Sequence, residues 1–257
     1  MTQIMLFRAL RAEVIKVRRT LALVMILLAP LAVDGLLWLI LMRYEGPARD
    51  NGWQLIASNM LFAWNVLMMP LFITLETALL GSLDHNASGW KHLFALPIPR
   101  WTVYMAKQII TLAAIGMSSV VLCVGLWLVG MSAQVLHLKP NLNFNAPFPW
   151  TSLLSALLLG YLAAWLIIAI HTFAAMRWPS FVITIGIGMA AVMGGVFGAN
   201  NQDWAYLYPW TLPAVMVRQF TGTDSMIAMP TLLYGLIGGL VIMIAGCWYF
   251  SRRNIQS

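Results

Sequence analysis

The sequence predicts an all-α integral membrane protein, with six transmembrane helices preceded by an amphipathic interfacial helix. Three observations carry this. Of the 257 residues, 61% are hydrophobic and only 9% charged, against roughly 25% charged in soluble domains. The apolar residues gather into six long runs, each close to the ~20 residues that cross a ~30 Å hydrocarbon core. Basic residues and aromatic side chains collect at the ends of those runs, as topology signals and interfacial anchors do. So much of the length lies in the bilayer that no separate soluble catalytic domain fits. The net charge of +7 is accounted for by basic residues flanking spans against anionic lipid, and not by nucleic-acid binding. Cys123 and Cys247 both lie in apolar runs and read as buried thiols.

Residues 1–19 alternate apolar and basic. Phe7, Leu10, Val14 and Val17 recur at helical spacing, with Arg8, Arg11 and Arg18 on a neighbouring face, the pattern of a helix lying in the membrane surface. The apolar run that follows is too long for a secretory signal. Residues 20–42 form the first span, with Pro30 and Asp34 inside it. A loop at 43–54 leads to the second span at 55–80, which holds Asn65, Pro70 and Glu76. The third span covers 103–131, the fourth 151–176, the glycine-rich fifth 180–198 and the sixth 230–250. Residues 132–150 form a proline-rich loop, and 199–229 a less apolar outer segment. Trp38, Tyr44, Trp53, Trp101, Trp150, Trp178, Trp248 and Tyr249 lie near span ends as candidate anchors.

Counting Lys and Arg sets the expected orientation. Eleven of the 15 fall on the side of the N-terminus: Arg8, Arg11, Lys16, Arg18, Arg19, Lys91, Arg100, Lys107, Arg177, Arg252 and Arg253. Four fall opposite: Arg43, Arg49, Lys139 and Arg218. This bias predicts both termini in the cytoplasm.

Several chemistries are missing. The chain has no Gly-x-x-x-x-Gly-Lys-Ser/Thr run to cradle a nucleotide, and no His-Glu-x-x-His to hold a catalytic zinc. Of four scattered histidines only His171 lies within a span, and one histidine makes no metal site. It reads as a polar residue bonded across helices. The remaining signal is ionisable residues inside spans, where a charge costs roughly 2.5–3.5 kcal/mol on the insertion scale. Asp34 and Glu76 are therefore candidates for transport. Glu76 shares a helical face with Asn65, Met69 and Phe72, at spacings of 4, 3 and 4, a face expected to point into protein. The structural alternative pairs Glu76 with Lys107 or Arg100 of the next span, and leaves Asp34 partly hydrated near the outer boundary.

The stretch 76–107 is the most polar interruption in the first half of the chain. Gly81, Asp84, Asn86, Ser88 and Gly89 read as loop residues. Trp90 to Leu96 could form two helical turns, with Trp90, Leu93, Phe94 and Leu96 largely on one side, ended by Pro97 and Pro99. An ordinary interfacial loop fits the same spacing.

Taken together, the interfacial helix, the six spans, the Glu near the end of the second, the loop pattern Trp90-Lys91-x-Leu93-x-x-Leu96-Pro97-x-Pro99-Arg100-x-x-x-Tyr104-x-x-Lys107 and the Tyr208-Pro209-Trp210 stretch resemble the permease subunit of a bacterial ABC-2-type exporter. Within that class the chain is most similar to the small permeases of lantibiotic-immunity transporters. The resemblance implies one transmembrane domain over 1–257, with short re-entrant helices in the outer segment 199–229. It implies a coupling loop at 81–101, with Trp90, Lys91, Leu93, Phe94 and Arg100 meeting a separate ATPase. Two copies of that ATPase would carry ATP and Mg, and this chain would hold no cofactor. A second permease copy, or a related permease, would complete the transporter in the bacterial inner membrane. The family supplies no role for Asp34.

The function expected is export of an amphipathic peptide such as a bacteriocin. A drug, a lipid-linked glycan or an ion is the alternative cargo. Outside transport, the sequence leaves open an intramembrane enzyme using Glu76 and His171, or a membrane anchor that recruits a partner through residues 81 to 101.

Overall fold

The structure is a computed structural model that describes residues 2–86, 99–139, 141–198, 202–220 and 228–252. All its regular elements are helical: α1 (Thr2–Val17), α2 (Leu21–Met42), α3 (Gly52–Ala63), α4 (Met69–Asn86), α5 (Arg100–Val135), α6 (Trp150–Ala163), α7 (Trp165–Arg177), α8 (Phe181–Gly198), α9 (Gln202–Ala205), α10 (Leu212–Phe220) and α11 (Ala228–Arg252). Among the described residues five stretches are long and apolar enough to cross a membrane, and the pair α6–α7, bent by 42°, is a sixth if taken as one span. Two helices of 14 and 13 residues together rise about 40 Å. Counted as one broken span, the bent pair has the length to cross the bilayer, which gives five to six candidate spans among the described residues. The all-α, multi-pass architecture expected from composition is the one observed.

The second and third spans form the centre. Over their most apolar windows, 56% of Gly52–His85 and 50% of Arg100–Val135 is buried within the protein, against 28% or less for α2, α8 and α11. Those three present Leu27, Leu31, Val182, Met193, Ile237 and Ile244 outward, as lipid-facing helices do. Trp38, Trp150, Trp178 and Trp248 also face outward, in keeping with an anchoring role. Trp53 does not. It is 2% exposed, donates from Nε1 to the Phe144 carbonyl at 3.0 Å, and meets Phe144 and Phe148 edge-on.

That tryptophan belongs to a cap on the side opposite α1. The Arg49 amide donates to the Asn141 carbonyl, the Asn143 amide to the Arg49 carbonyl and the Gly52 amide to the Asn143 carbonyl, at 2.8–3.1 Å. Lys139 Nζ donates to Tyr44 O and Asn141 Nδ2 to Gly46 O. The two loops thereby satisfy each other's backbone groups.

The second span does not run as one regular helix. Residues Trp64–Met68 form a π-helical turn between α3 and α4, and the Met69 amide donates to the Trp64 carbonyl five residues back. Pro70 follows immediately. It has no amide to donate, and its ring would crowd the carbonyl four residues earlier in a regular α-helix. The wide turn removes that conflict. Past it, α4 continues to Asn86. Gly81, Asp84 and Asn86 are therefore helical rather than loop residues. Gly81 packs so closely on α7 that a Cβ there would lie 2.8 Å from the Ala175 carbonyl oxygen.

The fourth span breaks at Ala164, where residues 151–176 were expected to be continuous. The last span covers the break: a Cβ at Gly235 would lie 2.7 Å from the Ala163 carbonyl oxygen, and one at Gly239 3.0 Å from Trp165. Small residues here let backbones approach in the absence of a hydrophobic drive between helices. Pro30, by contrast, leaves α2 unbroken. The segment before the last span forms α9, a 3₁₀ turn at Pro209–Thr211 and α10. Residues 211–217 are buried, so this segment dips back into the protein on the side of the cap.

Candidate functional site

The interfacial helix turns part of its apolar stripe outward, as a helix lying in the membrane surface does. Phe7 is 68% exposed and Val14 39%, while Ala9, Glu13 and Val17 face the protein. Glu13 is the sole acid of α1, and it is buried because two ammonium groups await it. Its Oε1 accepts from Lys16 Nζ at 2.5 Å and its Oε2 from Lys107 Nζ at 3.0 Å. Asp84 of α4 completes the arrangement, with Oδ1 2.7 Å from Lys16 Nζ and Oδ2 2.8 Å from Lys107 Nζ.

The result is a four-membered junction of two acids and two bases, electrically neutral as a whole. The side chains of Glu13, Asp84 and Lys107 are 2–3% exposed, and that of Lys16 31%. An ammonium has three protons to donate. Lys107 donates to Glu13 and to the Leu80 carbonyl at 2.9 Å, and pairs by charge with Asp84. Burial alone would lower the pKa of Lys16, but the Glu13 and Asp84 carboxylates outweigh it and hold the ammonium above its ordinary 10.5. The stability this contributes is complete below the unfolded value and is lost only as pH rises through the higher folded one.

The junction's placement gives it mechanical meaning. Asp84 lies at the end of α4, Lys107 two turns into α5, and residues 87–98 connect the two helices. Both feet of that connection are therefore pinned to each other and to α1. His85 adds a hydrogen bond to the Ala175 carbonyl of α7 at 3.2 Å. Arg100 opens α5 behind Pro99, and Thr102 Oγ1 donates to the Pro99 carbonyl at 2.6 Å. Trp90, Lys91, Leu93 and Phe94 lie outside the described residues, so the Trp90–Leu96 helix does too.

The intramembrane candidates are not brought together. Asp34 is buried against α5, and a Cβ at Gly125 would overlap its carboxylate. It is therefore enclosed by the protein rather than exposed at a boundary. Asn65 Nδ2 donates to the Leu61 carbonyl at 2.9 Å, and its Oδ1 is directed at Gly160. Asn65, Met69, Phe72 and Glu76 are all buried, as their shared face predicted. Glu76 is fully buried, and neither carboxylate oxygen has a hydrogen-bond partner among the described residues. The pairing of Glu76 with Lys107 does not form; the Lys107 ammonium is turned to Glu13, Asp84 and the Leu80 carbonyl instead.

His171 sits elsewhere. Its Nε2 accepts from Trp210 Nε1 at 3.2 Å and lies 3.4 Å from Thr74 Oγ1. This is the cross-helix bonding expected of a lone intramembrane histidine. A nitrogen that accepts from an indole is not free to abstract a proton, which weighs against a His171–Glu76 catalytic pair.

Sequence reasoning missed Glu13, Lys16 and Asp84 as a group. The available signal was an acid placed three residues before a lysine in an otherwise basic helix. Comparison with known proteins decides the family: the profile for ABC-2 family transporter proteins matches residues 9–195. The chain belongs to the ABC-2 transporter family. A search of curated proteins and a search of solved structures each return no match. As a multi-pass ABC-2 membrane subunit it falls in a class that is typically non-catalytic and generally works with an ATPase partner. The matched range contains the whole charged junction and stops before α9, α10 and the last span.

Proposed function

We propose that this ABC-2 subunit is the permease of an ATP-driven exporter that moves an amphipathic peptide, of the bacteriocin or lantibiotic kind, out of the membrane or cytoplasm. Two permeases, identical or related, would bind two copies of a separate ATPase carrying ATP and Mg. Both termini and residues 87–98 would face the cytoplasm of a bacterial cell, consistent with the bias of basic residues. The observation that carries this reading is the junction of Glu13, Lys16, Asp84 and Lys107 at the feet of the 87–98 connection. A force applied to that connection reaches the interfacial helix and the two central spans through charge-assisted bonds, which are shorter and stronger than neutral ones. A lever of this kind suits a permease whose engine is another chain.

In this reading Trp90 and Phe94, four residues apart on one helical face, anchor the loop in a groove of the ATPase. Lys91 and Leu93 flank them and Arg100 closes the contact. Co-expression with a cognate ATPase tests this through co-purification and peptide-stimulated ATP hydrolysis. Buried aromatic anchors contribute about 2 kcal/mol or more to an interface. Trp90→Ala with Phe94→Ala should therefore weaken assembly by well over tenfold. Unchanged assembly with unchanged stimulation would remove the loop from the mechanism.

A further inference from the structure

A groove of about 230 Å³ opens between α1, α2 and α5 on the side of the charged junction. Its walls are Val17, Leu23, Ile110, Ala113 and Met117, and Arg18 stands at its mouth. Ile110 to Met117 covers about 10 Å of α5, most of one ~15 Å leaflet. Leu23 and Met117 face outward, so the groove is open to the bilayer along its length.

The charge at the mouth has no internal answer. Arg18 and Arg19 are exposed, and neither has a carboxylate partner among the described residues. The one acid of α1, Glu13, has both oxygens taken by lysines. Helix α5 carries no acid, and α2 only Asp34, buried against Gly125 farther along the span. A slot that is apolar at leaflet depth and cationic at the surface matches one ligand class: an acyl chain beneath an anionic headgroup. We propose that this groove is a site for an anionic phospholipid, with one acyl chain along Ile110–Met117 and the headgroup phosphate on Arg18. Bound there, the lipid bridges α1 to the first and third spans beside the junction.

The test uses the full chain in nanodiscs with a trace of phosphatidylglycerol or phosphatidylcholine carrying an acyl-chain diazirine, and maps adducts by mass spectrometry. The phosphatidylglycerol probe should label residues 110–117 about fivefold more than the phosphatidylcholine probe, the factor for one arginine at an anionic surface. Arg18→Gln should erase that preference and Arg8→Gln should not. Ala113→Trp, at an exposed position in the groove wall, should abolish labelling by both probes while the melting temperature holds. Equal labelling by the two lipids overturns the proposal. So does an effect of Arg8→Gln as large as that of Arg18→Gln, which would reveal general surface attraction. Absence of labelling together with an Ala113→Cys disulfide between copies would assign the groove to a second chain and likewise overturn it.

Discussion

Lys107 Nζ lies 2.8 Å from Asp84 Oδ2, joining the end of one central span to the start of the next across a connection neither residue belongs to. Both side chains are 2% exposed. Neither charge could be held there alone, since an unpaired buried ion costs several kcal/mol. The pair is tolerated because Glu13 and Lys16 complete the balance.

Charge balance in the junction gives the first prediction. Asp84→Asn leaves Glu13 alone against two lysines and should destabilise the chain by about 3–5 kcal/mol. Adding Lys16→Met returns the group to one acid and one base, and should recover at least half of that loss. Thermal unfolding of the detergent-purified full chain reads both. Additive losses in the double variant would mean that the four residues do not act as a unit.

Glu76 should behave oppositely. Its carboxyl has no partner to lose, so Glu76→Gln exchanges one buried polar group for another of like shape without orphaning a third. Thermal stability should stay level or rise, while peptide export falls. Glu76→Lys should reduce the yield of inserted protein, because the ammonium enters the same enclosed position. A loss of stability in the Gln variant as large as that of Asp84→Asn would show that Glu76 has a partner after all.

Gly81 offers a steric test of the α4–α7 contact. The atom a new Cβ would meet is the backbone oxygen of Ala175, which cannot rotate aside as a side-chain end could. Gly81→Ala should cost about 1–3 kcal/mol despite the better helix propensity of alanine. Gly186→Ala, with nothing within 4 Å of its Cβ, should be neutral or stabilising by the same melting assay.

Orientation is the fourth prediction. With the termini in the cytoplasm, Ala48→Cys and Asn143→Cys, both on exposed cap loops, should react with an impermeant thiol reagent in intact cells. Ser88→Cys should react only after lysis. The reverse pattern would invert the topology.

The spans were legible because hydropathy over twenty residues is a strong signal: each expected run corresponds to a helix, to two helices joined by a wide turn for the second, or to a bent pair for the fourth. Faces were harder to read. On α1 the apolar stripe read as the side turned to the membrane, and Phe7 and Val14 do face outward, while Val17 of the same stripe packs inward. What the stripe did not show is the opposite face, where the acid turns inward to Lys107. Asp84 was hidden because Gly81 and Asn86 suggested a loop, whereas that glycine serves a close helix contact. The bend at Ala164 has no proline to announce it. Nothing local marks Glu76 as unpaired, since its expected partner Lys107 is claimed by residues distant in sequence.

The wide turn at Trp64–Met68 sets the phase of everything beyond it. Each residue of an α-helix advances the chain by about 100° and 1.5 Å. Deleting one residue here, so that the span became regular, would rotate α4 by roughly that angle relative to α3. Asp84 would then swing away from Lys107 and Lys16, although the substitution-free half below the turn kept every residue it had. The register of the junction is thus written some twenty residues upstream of it, in a single extra backbone unit.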